Sequence, residues 1–170
     1  TDGFIIAPRP VKLTWSGETD IPYDGQEHTV SAEITNLLTE DSCELTYADH
    51  QKTDVGSYTA TVTALSNPNY TLDGAENVTL AWQTTSVGGA ASVTMAGWIY
   101  GDTAKTPVPV SATNGTDNVT YHYTGRNGTS YNSGAVPTNA GDYTVTATFA
   151  ATANYEEVTA TADFSIAPKA

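Results

Sequence analysis

The stretch Asp54-Val55-Gly56-Ser57-Tyr58-Thr59-Ala60 returns 85 residues later as Asn139-Ala140-Gly141-Asp142-Tyr143-Thr144-Val145. The same offset carries Asn69-Tyr70 onto Asn154-Tyr155. A turn-plus-strand unit repeated at fixed spacing is the mark of modules in tandem, each with its own small core. Two modules of about equal size therefore share the 170 residues, and one central catalytic cleft is not expected. Each is small, yet within the range that folds without cross-links. A lone cysteine, Cys43, excludes a disulfide within the chain and reads as a small buried hydrophobe or an inert loop thiol.

The 30 threonines, many alternating with Val, Ala or Tyr, suit pleated, half-buried strands rather than helices. The expected class is all-β. The net charge of -13 repels phosphate backbones and anionic lipid, so nucleic acid and membrane surfaces are poor partners. It suits solubility, divalent cations or a crowded extracellular matrix. No apolar run is long enough to span a bilayer, and no signal-peptide pattern begins at Thr1.

Alternation places strands at Val11–Trp15, Thr29–Ile34, Leu45–Tyr47, Ser57–Ala64 and Val78–Gln83 in the first module. In the strand Ser57–Ala64, Tyr58, Ala60, Val62 and Ala64 share the expected inner face. In the second module the strands are Ser92–Ala96, Val108–Val110, Val119–Tyr123, Tyr143–Phe149 and Val158–Ile166. The turns Tyr23-Asp24-Gly25 and Tyr100-Gly101-Asp102 correspond, but at an offset of 77 rather than 85. The second module thus carries extra length after its turn, and the loop 124–130 is its natural place. Phe4-Ile5-Ile6-Ala7-Pro8-Arg9 matches Phe164-Ser165-Ile166-Ala167-Pro168-Lys169 as F-x-I-A-P plus a base. Residues 1–8 therefore read as the last strand and junction of a preceding repeat. Residues 9–84 form repeat one, 85–91 a small-residue linker, 92–167 repeat two and 168–170 the next junction, with prolines stiffening the joints.

The D-x-G-x-Y unit resembles the tyrosine corner of immunoglobulin-like sandwiches, in which a tyrosine hydroxyl bonds back to the corner backbone. That assigns structural roles to Gly56, Tyr58, Gly141 and Tyr143. The position two residues after each tyrosine, cysteine in antibody domains, is Ala60 or Val145. With Pro8-Arg9-Pro10-Val11, Tyr23-Asp24-Gly25-x-x-His28 and Asn69-Tyr70, the chain resembles the tandem Ig-like or MBG-type repeats of bacterial surface proteins. The resemblance implies two tandem Ig-like β-sandwich modules, with β-grasp-like, mostly-β repeats as the alternative. It also implies an extracellular place on a bacterial cell surface or wall.

Candidate chemistry is sparse. His28, His50 and His122 sit in unrelated contexts, and no nucleophile elbow, phosphate loop or zinc signature occurs, so no enzyme and no cofactor are expected. Asp20, Asp24 and Glu27 cluster at one turn as calcium candidates, without the spacing of a dedicated calcium loop. Lys12 and Asn77, with Glu33 or Glu44, are the pieces available for an internal Lys–Asn amide. Trp98, Tyr121, Tyr123 and Tyr131, with Tyr100, form a candidate aromatic patch for stacking on a sugar, although alternating aromatics in a sheet commonly face a core.

The leading expectation is a non-enzymatic, monomeric stalk or adhesin scaffold whose partners are neighbouring repeats and host or matrix glycans or proteins. One alternative is a carbohydrate- or protein-binding module using loop 124–134 and its tyrosines. Another is a pair of accessory modules from a large secreted hydrolase.

Overall fold

The computed structural model of the chain describes residues 5–170. Every regular element in that range is a β-strand, and no helix there is long and apolar enough to cross a membrane. The chain divides into two compact units, the first ending at Thr85 and the second running Ser86–Ala170.

The first unit holds β1 (Arg9–Ser16), β2 (Asp20–Pro22), β3 (His28–Thr29), β4 (Ser31–Ile34), β5 (Leu45–Ala48), β6 (Gln51–Lys52), β7 (Gly56–Leu65), β8 (Tyr70–Glu76) and β9 (Thr79–Thr85). One sheet has the order β4-β1-β8, the facing sheet β2-β9-β7-β5, and β3 pairs with β6 at the rim. Val11 and Leu13 of β1 pack against Val62 of β7 and Tyr70 of β8, so the two sheets share one core. The neighbouring cluster joins Ile21, Val30, Ala60 and Trp82.

The second unit holds β10 (Ala91–Thr94), β11 (Trp98–Ile99), β12 (Val108–Ser111), β13 (Val119–Arg126), β14 (Asn132–Ser133), β15 (Gly141–Phe149) and β16 (Val158–Ala167). Its sheets are β10-β12 and the five-stranded β11-β16-β15-β13-β14. On β15 the period-two pattern is complete: Tyr143, Val145, Ala147 and Phe149 are all buried, while the residues between them are half-buried. Each large side chain of this kind stabilises the fold by roughly 1.5–3 kcal/mol.

The chain is thus all-β, two Ig-like sandwiches in tandem. The adjacency β5-β7-β9, and likewise β13-β15-β16, reproduces the C-F-G order of an immunoglobulin sheet. The opposite sheet of the first unit departs from that plan. Strand β1 lies between β4 and β8, and β8 runs parallel to it. Thirteen residues, 66–78, separate β7 from β9, enough to lay β8 across the sandwich. Only eight, 150–157, separate β15 from β16. There Tyr155 keeps a single parallel bridge to Val87.

Three expectations are corrected. Ala64 is exposed rather than inward, because Thr46 pairs with Ala64 and Tyr47 with Val62, leaving Thr63 as an extra residue. This bulge reverses the alternation and turns Leu65 toward the core in place of Ala64. Region 124–134 is a β-hairpin rather than a loop. Strand β13 runs on to Arg126, Thr129 N–H bonds to Arg126 C=O at 2.8 Å, and β14 returns along β13. Asn127 and Gly128 both have positive φ, 50° and 87°, which makes this a type I′ turn of the kind that suits tight hairpins. Strand β8 had no counterpart among the expected strands, since its half-exposed polar sequence lacks clean alternation.

The stretch 85–91 begins as the end of β9 and is then held on the second unit. Ala90 N–H donates to Thr113 Oγ1, and Ser111 Oγ donates to Ala90 C=O, both at 2.8 Å. Of the two F-x-I-A-P segments, Phe164 and Ile166 are buried in β16, while Ile6 is 81% exposed and Phe4 lies outside the described residues.

Candidate functional site

The repeated glycine-tyrosine unit builds the same corner twice. Tyr58 donates its hydroxyl to Asp54 C=O at 2.6 Å, and Tyr143 to Asn139 C=O at 2.8 Å. Both rings fold back over the glycine two residues earlier. A β-carbon at Gly56 would meet Tyr58 Oη at 2.8 Å, and one at Gly141 would meet the Thr129 side chain at 2.8 Å and Tyr143 Oη at 3.1 Å. Tyr58 tilts against Trp82, ring centres 5.2 Å apart, under a Lys52 ammonium 5.3 Å from its ring. Lys52 also pairs with Asp49 at 2.7 Å, and that bond raises the Lys52 pKa. Tyr143 stacks on Phe164 at 5.5 Å, and burial pushes its hydroxyl up. These tyrosines are occupied by their own corners.

The candidate aromatic patch is taken apart by the fold. Trp98 is buried and stacks on Phe164 at 5.5 Å, and Tyr123 is 2% exposed, its hydroxyl likewise pushed up by burial. Tyr121 is half-buried against both core clusters of the unit. Tyr131 donates to Ala135 C=O at 2.8 Å and meets Tyr143 edge-on at 5.7 Å. Trp98, Tyr123 and Tyr131 join one core cluster and offer no common face to a sugar. Tyr100 stands apart, 48% exposed.

The calcium candidates do not converge. Among the described residues no three His, Cys, Asp or Glu side chains gather closely enough to hold a metal ion. Asp24 instead accepts Gln26 N–H and meets His28 Nε2, each at 2.8 Å, and these bonds lower its pKa, the backbone one most. Asp20 pairs with Gln83 in the β2–β9 ladder, and Glu27 is exposed. The pieces for an internal amide have other partners: Lys12 reaches out to Glu76 at 3.9 Å, while Asn77 donates to Leu13 C=O at 3.3 Å. The other two histidines serve local structure, His50 stacking on Tyr47 at 4.5 Å and His122 bonding to Asn132.

Two polar constellations went unread in the sequence. Tyr70 accepts Leu38 N–H at 2.9 Å and donates to Asp41 at 2.7 Å. The Leu38 bond lowers its pKa, but the Asp41 carboxylate and burial raise it on balance. On the outer face of β13, β15 and β16, Asp142 accepts from Ser165 Oγ at 2.6 Å and Asn127 Nδ2 at 2.9 Å. There Asp163 accepts from Thr144 Oγ1 at 2.6 Å and Arg126 at 2.7 Å. Only register brings these side chains together, through Thr144↔Asp163 and Asp142↔Ser165.

No protein-family model matches the chain, and no curated protein matches it. Among solved structures, the crystal structure of Drosophila N-cadherin EC1-3 aligns with 98% of this chain and 67% of its own, at 10% identity and a TM-score of 0.30.

Proposed function

We propose that this chain is a non-enzymatic repeat segment of a bacterial cell-surface or secreted protein, acting as a stalk or adhesin scaffold. One observation carries the reading: in each unit an early strand pairs in parallel with the last. Strand β2 runs parallel to β9 through Asp20↔Gln83, Ile21↔Thr84 and Pro22↔Thr85, and β11 parallel to β16 through Trp98↔Ile166 and Ile99↔Ala167. Flanking bonds extend both pairs, Tyr23 N–H to Thr85 C=O at 2.9 Å and Tyr100 N–H to Ala167 C=O at 2.8 Å. Tension drawn through the chain pulls such strands in opposite directions along their length. All their hydrogen bonds then share the load at once instead of opening one by one. Resistance of this kind suits a load-bearing spacer, and it supports the stalk reading.

Stretching single molecules of the full chain tests the mechanics. Two separate unfolding steps are expected, the second unit's step falling to lower force in Gly97→Ala, whose new β-carbon would strike Ser165 C=O beside the β11–β16 pair. Steps at unchanged force in that variant would overturn the shear mechanism. Antibody labelling of intact bacteria carrying the parent protein tests the location, and labelling that appears only after lysis would overturn it.

A further inference from the structure

The turns Tyr23-Asp24-Gly25 and Tyr100-Gly101-Asp102 share one frame and differ in what they leave exposed. In both, the tyrosine N–H is tied to the end of the last strand, at Thr85 and Ala167 respectively. In the first unit the turn closes on itself, because Asp24 spends its carboxylate on Gln26 N–H and His28. In the second unit the side chains of Asp102 and Lys105 have no hydrogen-bond or ion-pair partner among the described residues. Tyr100 is 48% exposed, whereas Tyr23 is half-buried.

The second turn is nevertheless held by the backbone. Asp102 N–H bonds to Ile99 C=O at 2.9 Å and Gly101 has φ 91°, a type II turn that sets Tyr100 at its outer corner. Beneath it, Trp98 is buried and stacked on Phe164. Two shallow clefts of about 640 and 280 Å³ flank the turn, and Gly101 and Asp102 line both. Lys105 closes the first, while Tyr100 and Thr138 close the second.

We propose that this turn is a binding site for a neutral oligosaccharide. An exposed aromatic ring offers a flat apolar surface to the C–H face of a pyranose. The Asp102 carboxylate can accept from adjacent sugar hydroxyls, and the Lys105 ammonium can donate to a hydroxyl or ring oxygen. A turn fixed by two backbone bonds loses little freedom when it binds. The second unit holds six Asp and Glu against three Lys and Arg, and this negative balance disfavours polyanionic glycans relative to neutral ones. The site does not depend on the stalk reading, since a spacer and a hydrolase accessory module could equally carry it.

The test is an array of neutral oligosaccharides read with the full chain, followed by calorimetric titration of the strongest hit. Tyr100→Ala is expected to weaken that binding about tenfold or more, and Asp102→Asn to weaken it as well. Thr161→Ala, on the exposed face of β16, is expected to leave it unchanged. Overlaid thermal melts would show that these surface variants keep the fold. Absence of binding to every neutral glycan at millimolar concentration, or binding that survives Tyr100→Ala, would overturn the proposal.

Discussion

The Tyr58 hydroxyl lies 2.8 Å from where a β-carbon on Gly56 would stand, and it is pinned there by its bond to Asp54 C=O. A free tyrosine tip could swing away from a new methyl group, but this one would have to break its corner bond first. Gly56→Ala is therefore expected to destabilise the first unit by about 1–3 kcal/mol through overpacking. Tyr58→Phe, which keeps the ring and removes only the bond, should lose about 1 kcal/mol. Urea denaturation of the full chain, followed by tryptophan fluorescence, measures both. Equal losses would show that the corner bond, not the glycine contact, dominates. No loss from either would remove the corner as a stabilising device.

The buried phenols of the second unit make its stability fall at high pH. Burial raises the folded-state pKa of Tyr123 and of Tyr143, with neighbouring tyrosines adding to the effect. Such a group holds its proton more tightly folded than unfolded. Its contribution is complete below the unfolded pKa, about 10, and is lost as pH climbs through the folded value. Alkaline titration followed by tyrosinate absorbance and circular dichroism should show these two phenols ionising together with loss of β structure. Ionisation of every tyrosine with the β signal intact would refute the coupling.

Acid acts on the same unit through Asp142. The Ser165 hydroxyl and then the Asn127 amide stabilise its carboxylate and lower its pKa. A depressed carboxylate contributes stability above the unfolded pKa and loses it as pH falls through the folded value. Wild type should therefore lose more stability than Asp142→Asn on acidification below about pH 4. Thermal melts across that range give the comparison, and parallel acid profiles for the two proteins would count against it.

How much of this could be read from residues alone follows from the range of each interaction. The corner was legible because its bond spans four residues, Tyr58 to Asp54 and Tyr143 to Asn139, so pattern and geometry coincide. The long alternation of Tyr143 to Phe149 likewise declared its strand and inner face. The inward turn of Leu65 was hidden because it depends on a bulge set by the partner strand β5. The aromatic patch misled because Trp98, Tyr123 and Tyr131 look alike in sequence to exposed rings, and only the packing on Phe164 and Tyr143 buries the first two and half-buries the third. The Asp142–Ser165 contact joins residues 23 apart and rests on strand register, which no local pattern fixes.

Register also exposes a flaw that one repeat has and the other lacks. Gly56 pairs with Thr84 in the first unit, and Gly141 pairs with Ile166 in the second, so Thr84 and Ile166 occupy one structural position. Both are 2% exposed. Ile166 belongs to its hydrophobic cluster, whereas the Thr84 hydroxyl is buried with no hydrogen-bond partner among the described residues. An unsatisfied buried hydroxyl costs about 1–3 kcal/mol, and a methyl group of the same shape removes that penalty. Thr84→Val is accordingly expected to stabilise the first unit by about 1 kcal/mol or more, an unusual direction for a substitution in a buried strand. Thr84→Ser, which keeps the hydroxyl and deletes the methyl, should destabilise it. Denaturation midpoints of the full chain decide the matter. A Thr84→Val variant less stable than wild type would mean that the hydroxyl finds a partner in solution, a water molecule or a shifted backbone carbonyl.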